Sequence, residues 1–219
     1  RRRQRQMCIR DSDTLVSDFL ERFICHFEKN VDIVIAGYHV VRKNKKVLKQ
    51  EANVTLEKID YLKKVLRGKY GWELWAKVYR RELFDEPMYI PCHLRIGEDA
   101  TVYMQLVARS CKVKIINEAL YNYIQYPSSA SHQRSVTLAE ETLQAAFYID
   151  HLLKKESFYQ EIRDEIDAMY LLFYSNSTRK AFLRLNHPLI YQVYQEHYSL
   201  RALKILPLFK SIYLSLIHI

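Results

Sequence analysis

Apolar positions along the chain fall into two regimes. Up to about residue 134, helical spacing alternates with β-rich runs, and beyond it only helical spacing remains. Phe19, Leu20, Phe23, Ile24 and Phe27 predict one face of a helix over 17–29, opened by Ser17 or Asp18 as cap. Residues 32–41 (DIVIAGYHVV) are dense in β-branched and aromatic side chains and predict a buried strand. A charged turn over 42–46 then lets Val47 and Leu48 pair back as a hairpin, with the basic stretch 42–49 as its solvated tip. A second amphipathic helix is expected over 55–66 with Thr55 as cap, and Gly68 and Gly71 punctuate the chain after it. Residues 98–110 predict a helix with Val102, Leu106 and Val107 inward and with Glu98 and Asp99 in its first turn, where the helix dipole favours acids. Residues 113–116 and 120–126 read as two strands joined by a short turn, and the Ser-rich stretch 127–131 ends the α/β part.

The helical remainder comprises segments at 137–155, 158–174, 179–185, 189–198 and 200–214. Its many tyrosines fall among apolar residues at helical spacing, so they predict core packing and not base stacking. The last stretch, 198–213 (YSLRALKILPLFKSIY), is basic and apolar with no acid. It fits a membrane-surface helix or a terminal helix that packs on its own domain and bends near Pro207. The expected organisation is a tail over 1–12, an α/β domain over 13–134 and a helical region over 135–219.

Composition changes this picture little. The chain has 219 residues with 49% hydrophobic side chains, enough for a packed core. Cys8, Cys25, Cys92 and Cys111 form no metal-finger spacing, which suits a reduced, cytoplasmic compartment. No apolar run reaches the length of a membrane span. The formal charge of +9 invites a basic membrane-surface or nucleic-acid-binding module as an alternative. Residues 1–12, however, hold five Arg and one Asp. Both this segment and 215–219 resemble translated sequencing-adapter reads, so the tail is set apart from the fold.

Three stretches occur in an informative order. Asp13 to Glu21 (DTLVSDFLE) leads to Asp32 to Tyr38 (DIVIAGY). Trp75 to Phe84 (WAKVYRRELF) follows. Gly97-Glu98-Asp99 then opens a helix ahead of Lys114-Ile115-Ile116 and Leu120-Tyr121-Asn122-Tyr123. Together these resemble the family 2 glycosyltransferases over roughly residues 13–132. The resemblance implies a partial GT-A domain of α/β class followed by an α-helical C-terminal region. It also implies that the nucleotide-binding half precedes this sequence, so that the fragment alone does not turn over.

The implied chemistry is transfer of a sugar from a nucleotide-sugar donor to a hydroxyl of a saccharide or lipid-linked acceptor, with inversion, in cell-surface polysaccharide or lipopolysaccharide assembly. The enzyme would sit in the cytoplasm, with peripheral contact at the inner face of the membrane through the C-terminal helix, and no nucleic acid is expected. A departing diphosphate calls for Mn²⁺ or Mg²⁺ held by carboxylates, and an attacking hydroxyl calls for a carboxylate base. By resemblance the base is Asp99, with Glu98 beside it, and the metal ligands are Asp13 and Asp11. Asp11-Ser12-Asp13 is a literal DxD, but counting back from Phe19-Leu20 puts Asp13 at the motif's last acid and Ser12 and Arg10 where acids belong. Trp75, Lys77 and His132 are candidate substrate contacts. The plainer readings stay open beside these: Asp99 as a helix-start acid, Trp75 as a core aromatic, Lys77 and His132 as surface groups.

Overall fold

The computed structural model describes residues 13–43, 45–125, 135–181 and 187–207. These gather into two compact units. The first takes the described residues up to Lys58, Leu74–Glu86 and the described part of Arg109–His132. The second takes Ile59–Glu73, Pro87–Ala108 and the described residues from Ser135 onward.

The first unit is a mixed sheet built on two long strands, β2 (Val31–Arg42) and β6 (Lys112–Ile124), which run parallel. Short antiparallel strands line the outer edge of each. Against β6 lie β4 (Val54–Glu57) and β1 (Thr14–Leu15), and against β2 lie β5 (Lys77–Tyr79) and β3 (Lys45–Lys49). The expected hairpin is present, with Arg42 opposite Lys45. Gly37 makes it compact: a Cβ there would lie 2.9 Å from the Lys49 carbonyl oxygen, so only glycine lets β2 and the end of β3 approach so closely. One apolar cluster joins Phe23, Val31, Val34, Ala36, Ile116 and Leu120, with Phe19 and Phe27 packed against it.

Three expectations for this unit need correction. The helix expected over 17–29 is short, α1 (Phe19–Ile24). Tight i→i−3 bonds from His26 and Phe27 end it, and Asn30 in the left-handed region (φ 66°) turns the chain into β2. Phe19 and Phe23 face the core, whereas Leu20 and Ile24 are exposed. The N-terminal end of the helix expected over 55–66 is β4, whose Val54, Thr55 and Leu56 suit a ladder with Ile115, Lys114 and Val113. The helix α2 begins only at Lys58. The two strands expected at 113–116 and 120–126 are one strand. β6 advances from Ile116 to Tyr121 while β2 advances from Ala36 to Tyr38, a bulge that absorbs the polar Asn117-Glu118. The bulged residues are anchored: Asn117 N–H donates to Asn53 Oδ1 (2.7 Å) and Glu118 accepts from Arg22 Nε (2.7 Å).

Asp32 and Arg80 bracket the sheet. Asp32 Oδ2 accepts from Cys111 N–H at 2.6 Å, fixing the start of β6 beside β2. Arg80 Nε donates to the Val31 carbonyl at 2.7 Å, and its guanidinium covers the Phe27 ring. These residues of the DIV and YRRE stretches therefore hold the fold together.

The second unit is helical. It holds α2 (Lys58–Leu66) from Ile59 on and α3 (Glu98–Arg109) as far as Ala108, then α4 (Val136–Leu153), α5 (Arg163–Ala181), α6 (Pro188–His197) and α7 (Leu200–Ile205). Gly68 (φ 73°) stops α2 in a Schellman turn: Gly68 N–H bonds to the Val65 carbonyl and Lys69 N–H to the Lys64 carbonyl. Ser135 and Ser199 cap α4 and α7 through their hydroxyls (3.1 Å each), and Pro188 opens α6. α5 packs against α4, α6 and α7 and is buried along its length from Glu165 to Ser175 apart from Asp167. The segment expected at 158–174 starts as a 3₁₀ turn, Tyr159–Ile162, and its helix runs on to Ala181, taking in the start of the segment expected at 179–185. In α3, Leu106 and Val107 are fully buried and Val102 half-buried. α7 buries Ala202 and Leu203, while Leu200 is exposed. Among the described residues no helix is long and apolar enough to cross a membrane.

Candidate active site

Asp13 and Trp75 meet on one patch of the sheet through Tyr121. Asp13 is buried just before β1, and both of its oxygens are engaged: Oδ2 accepts from the Tyr121 hydroxyl (2.7 Å) and Oδ1 from Ile124 N–H (2.8 Å). Tyr121 and Tyr123 stand two apart on β6, hence on the same face. The Trp75 indole stacks on both rings, at 5.0 Å and 4.9 Å between centroids, and meets Tyr38 edge-on at 4.7 Å. Trp75 remains half-buried in this cluster. Ala76 holds it there from an unusual backbone. Its φ is 57°, in the left-handed region, and its carbonyl accepts from Ala36 N–H at 3.0 Å. Lys77 follows, buried, opposite Ile35 in the β2–β5 ladder.

Glu98 and Asp99 belong to the second unit, adjacent in the first turn of α3 and both half-buried. Gly97 presents them. Its φ is 99°, and a Cβ there would come within 2.4 Å of the Ala145 Cβ on α4. Both facts require glycine. The Gly97 carbonyl accepts from Thr101 N–H (3.0 Å) and from the Thr101 hydroxyl (2.9 Å), starting the helix. The backbone that carries these two acids is thus fixed at a helix start held hard against α4.

His132 and Asp11 lie outside the described residues. Asp13 is the one expected metal ligand that is described. Among the described residues no group of three or more His, Cys, Asp or Glu side chains could enclose a cation. The rings of Tyr38, Tyr121 and Tyr123 complete this patch without being expected there. The alternation Tyr121-Asn122-Tyr123 in a strand was the available signal, since it places two rings on one face.

No protein-family model matches the chain. It is similar to the uncharacterized glycosyltransferase EpsJ of Bacillus subtilis (strain 168), 27% identical over 146 residues. That match takes in 63% of this chain and 42% of the relative, so the chain spans less than half the length of the relative it matches. Its fold is that of S. aureus TarS 1–349. The structure of TarS in complex with UDP-GlcNAc superposes with a TM-score of 0.57 at 13% identity, over 90% of this chain and 56% of that one. The structure with UDP gives 0.52, over 90% and 55%. The mixed sheet, followed along the chain by helices, is therefore a known architecture, shared with TarS.

Proposed function

We propose that this chain is part of an inverting family 2 glycosyltransferase that moves a sugar from a nucleotide-sugar to an acceptor hydroxyl in cell-surface polysaccharide assembly. The observation that carries the reading is the Glu98–Asp99 pair, fixed by Gly97 at the start of α3 in a fold shared with TarS. The similarity to EpsJ supports it, and UDP-GlcNAc in the TarS complex supports a nucleotide-sugar donor. In the proposed step the acceptor oxygen bonds to the anomeric carbon while its proton passes to Asp99. The bond from that carbon to the diphosphate oxygen breaks, and its electron pair leaves with the diphosphate. Attack opposite the leaving group inverts the centre. Glu98 orients Asp99 or shares its role, and Trp75 and Lys77 serve the substrate side. The enzyme works in the cytoplasm.

The test takes the whole protein encoded at this locus and measures transfer from UDP-sugars, with Asp99→Asn in parallel. Loss of the base should lower kcat by about 10²–10⁴-fold. Turnover indifferent to Asp99→Asn overturns the assignment. The same assay with and without Mn²⁺ tests the cation expected at Asp13 and Asp11.

A further inference from the structure

A groove of about 760 Å³ opens on the second unit. Its lining includes Tyr89, His93, Phe147, Tyr148, His151 and Lys155. Gln144, Tyr148 and His151 stand at i, i+4 and i+7 on one face of α4. Ala145, the residue against which Gly97 packs, precedes Tyr148 by less than one turn. The groove follows α4 for about 10 Å, and the helix start that carries Glu98 and Asp99 packs on the same helix at Ala145.

The loop that supplies Tyr89 and His93 is held by buried polar side chains. Gln105 of α3 accepts from Tyr89 N–H through Oε1 (2.9 Å) and donates to the Tyr89 carbonyl through Nε2 (2.8 Å). Glu141 of α4 accepts from Arg95 N–H (3.0 Å) and from the Arg95 guanidinium (2.9 and 3.0 Å). The Tyr148 hydroxyl lies 3.0 Å from His93 Nε2, and its ring is 5.7 Å from that of Tyr89. Two buried polar side chains thus fix a loop whose tip leaves Tyr89 47% and Ile90 57% exposed. Folding alone gives no reason to pre-order an exposed aromatic, whereas binding does.

The lining also states a chemistry. Flat aromatic faces suit the C–H faces of sugar rings, and the Gln and imidazole groups around them suit hydroxyls. The groove is lined by Lys155 and two histidines, and no carboxylate is among its lining residues. Along α4, Glu141 is paired with Arg95 and Asp150 with Lys154. We propose that this groove binds an acidic oligosaccharide. Its role as the acceptor chain leading to Asp99 rests on the glycosyltransferase reading above.

Calorimetric titration of the whole protein encoded at this locus with a galacturonic acid tetramer, and with cellotetraose as the neutral arm, tests this. The acidic tetramer should bind with Kd below about 1 mM. Tyr89→Ala, which keeps the Gln105 clamp because that clamp grips backbone, should weaken it about tenfold. Lys155→Gln should weaken the acidic tetramer roughly fivefold and leave the neutral one unchanged. Absence of binding by the acidic tetramer, or binding unaltered in both variants, overturns the proposal. Equal affinity for cellotetraose overturns its charge assignment. The titration needs neither donor nor turnover. A groove that binds while the whole protein shows no transfer leaves a glycan-binding site without the enzyme, and a groove that fails while Asp99→Asn abolishes transfer leaves the enzyme with its acceptor elsewhere.

Discussion

The hydroxyl of Tyr121 donates to the buried Asp13 carboxylate at 2.7 Å while the same ring lies beneath the Trp75 indole. One side chain therefore links the acid before β1 to the aromatic cluster beside β5. Tyr121→Phe keeps the stack and removes the hydrogen bond, leaving Asp13 with Ile124 N–H. A lost hydrogen bond to a buried charge should cost about 1.5–3 kcal/mol, read from urea unfolding. Tyr121→Phe with unchanged stability would mean that Asp13 does not depend on this bond.

Gly97 should tolerate no side chain. Gly97→Ala places a methyl in the left-handed region and against the Ala145 Cβ. Backbone strain and overpacking together should cost about 2–5 kcal/mol. Adding Ala145→Gly relieves the contact but not the φ, so the double variant should recover part of the loss. Thermal unfolding of the two variants and their combination checks this. Full recovery would show that the backbone angle carries no strain.

Much of this was legible in the sequence, and for identifiable reasons. β2 declared itself through an unbroken β-branched and aromatic run, and α3 through two acids ahead of an apolar face. β4 was hidden because Val54-Thr55-Leu56 runs directly into α2 and borrows its helical spacing, and the ladder partner that decides the matter lies far along the chain in β6. Likewise Asn117-Glu118 reads as a turn until Asn53 and Arg22 are seen to anchor a bulge. Candidate residues were legible by type and position, but their company was not. Nothing local in Asp13 announces Tyr121, and nothing local in Tyr89 announces Gln105, because both bonds join segments distant in sequence.

Asp150 should govern acid stability of the helical unit. Burial raises its carboxyl pKa, but bonds from Tyr159 (2.6 Å), Lys154 (2.9 Å) and Tyr170 (3.1 Å) outweigh this and hold it below its ordinary value. Burial, then the bond to Asp150, pushes the Tyr159 phenol up to about 12, so it stays a donor throughout the acid range. A carboxylate with a depressed folded pKa stabilises above its unfolded value of about 3.9, and that contribution is lost as pH falls through the folded value. Asp150→Asn should therefore cost about 2–4 kcal/mol at pH 7. Its gap from the parent in Tm should close as the pH drops below about 4. A gap independent of pH would sink the idea.

Ala76 carries backbone strain beside the aromatic cluster. A left-handed alanine costs about 1–2 kcal/mol relative to its preferred backbone. Ala76 is nonetheless buried at 4% exposure, between Trp75 stacked on Tyr121 and Lys77 in its ladder. Ala76→Gly removes the strain and also a buried methyl worth about 0.8 kcal/mol. The two offset, so stability should stay within about 1 kcal/mol of the parent. Ala76→Val adds a β-branched side chain where neither the φ nor the packing accepts it, and should cost about 2–4 kcal/mol. In a Trp72→Phe background the remaining indole reports on the stack. Its emission should survive Ala76→Gly and shift toward that of solvated tryptophan in Ala76→Val. Equal losses for glycine and valine would show that the left-handed angle is not what aims Trp75 at Tyr121 and Tyr123.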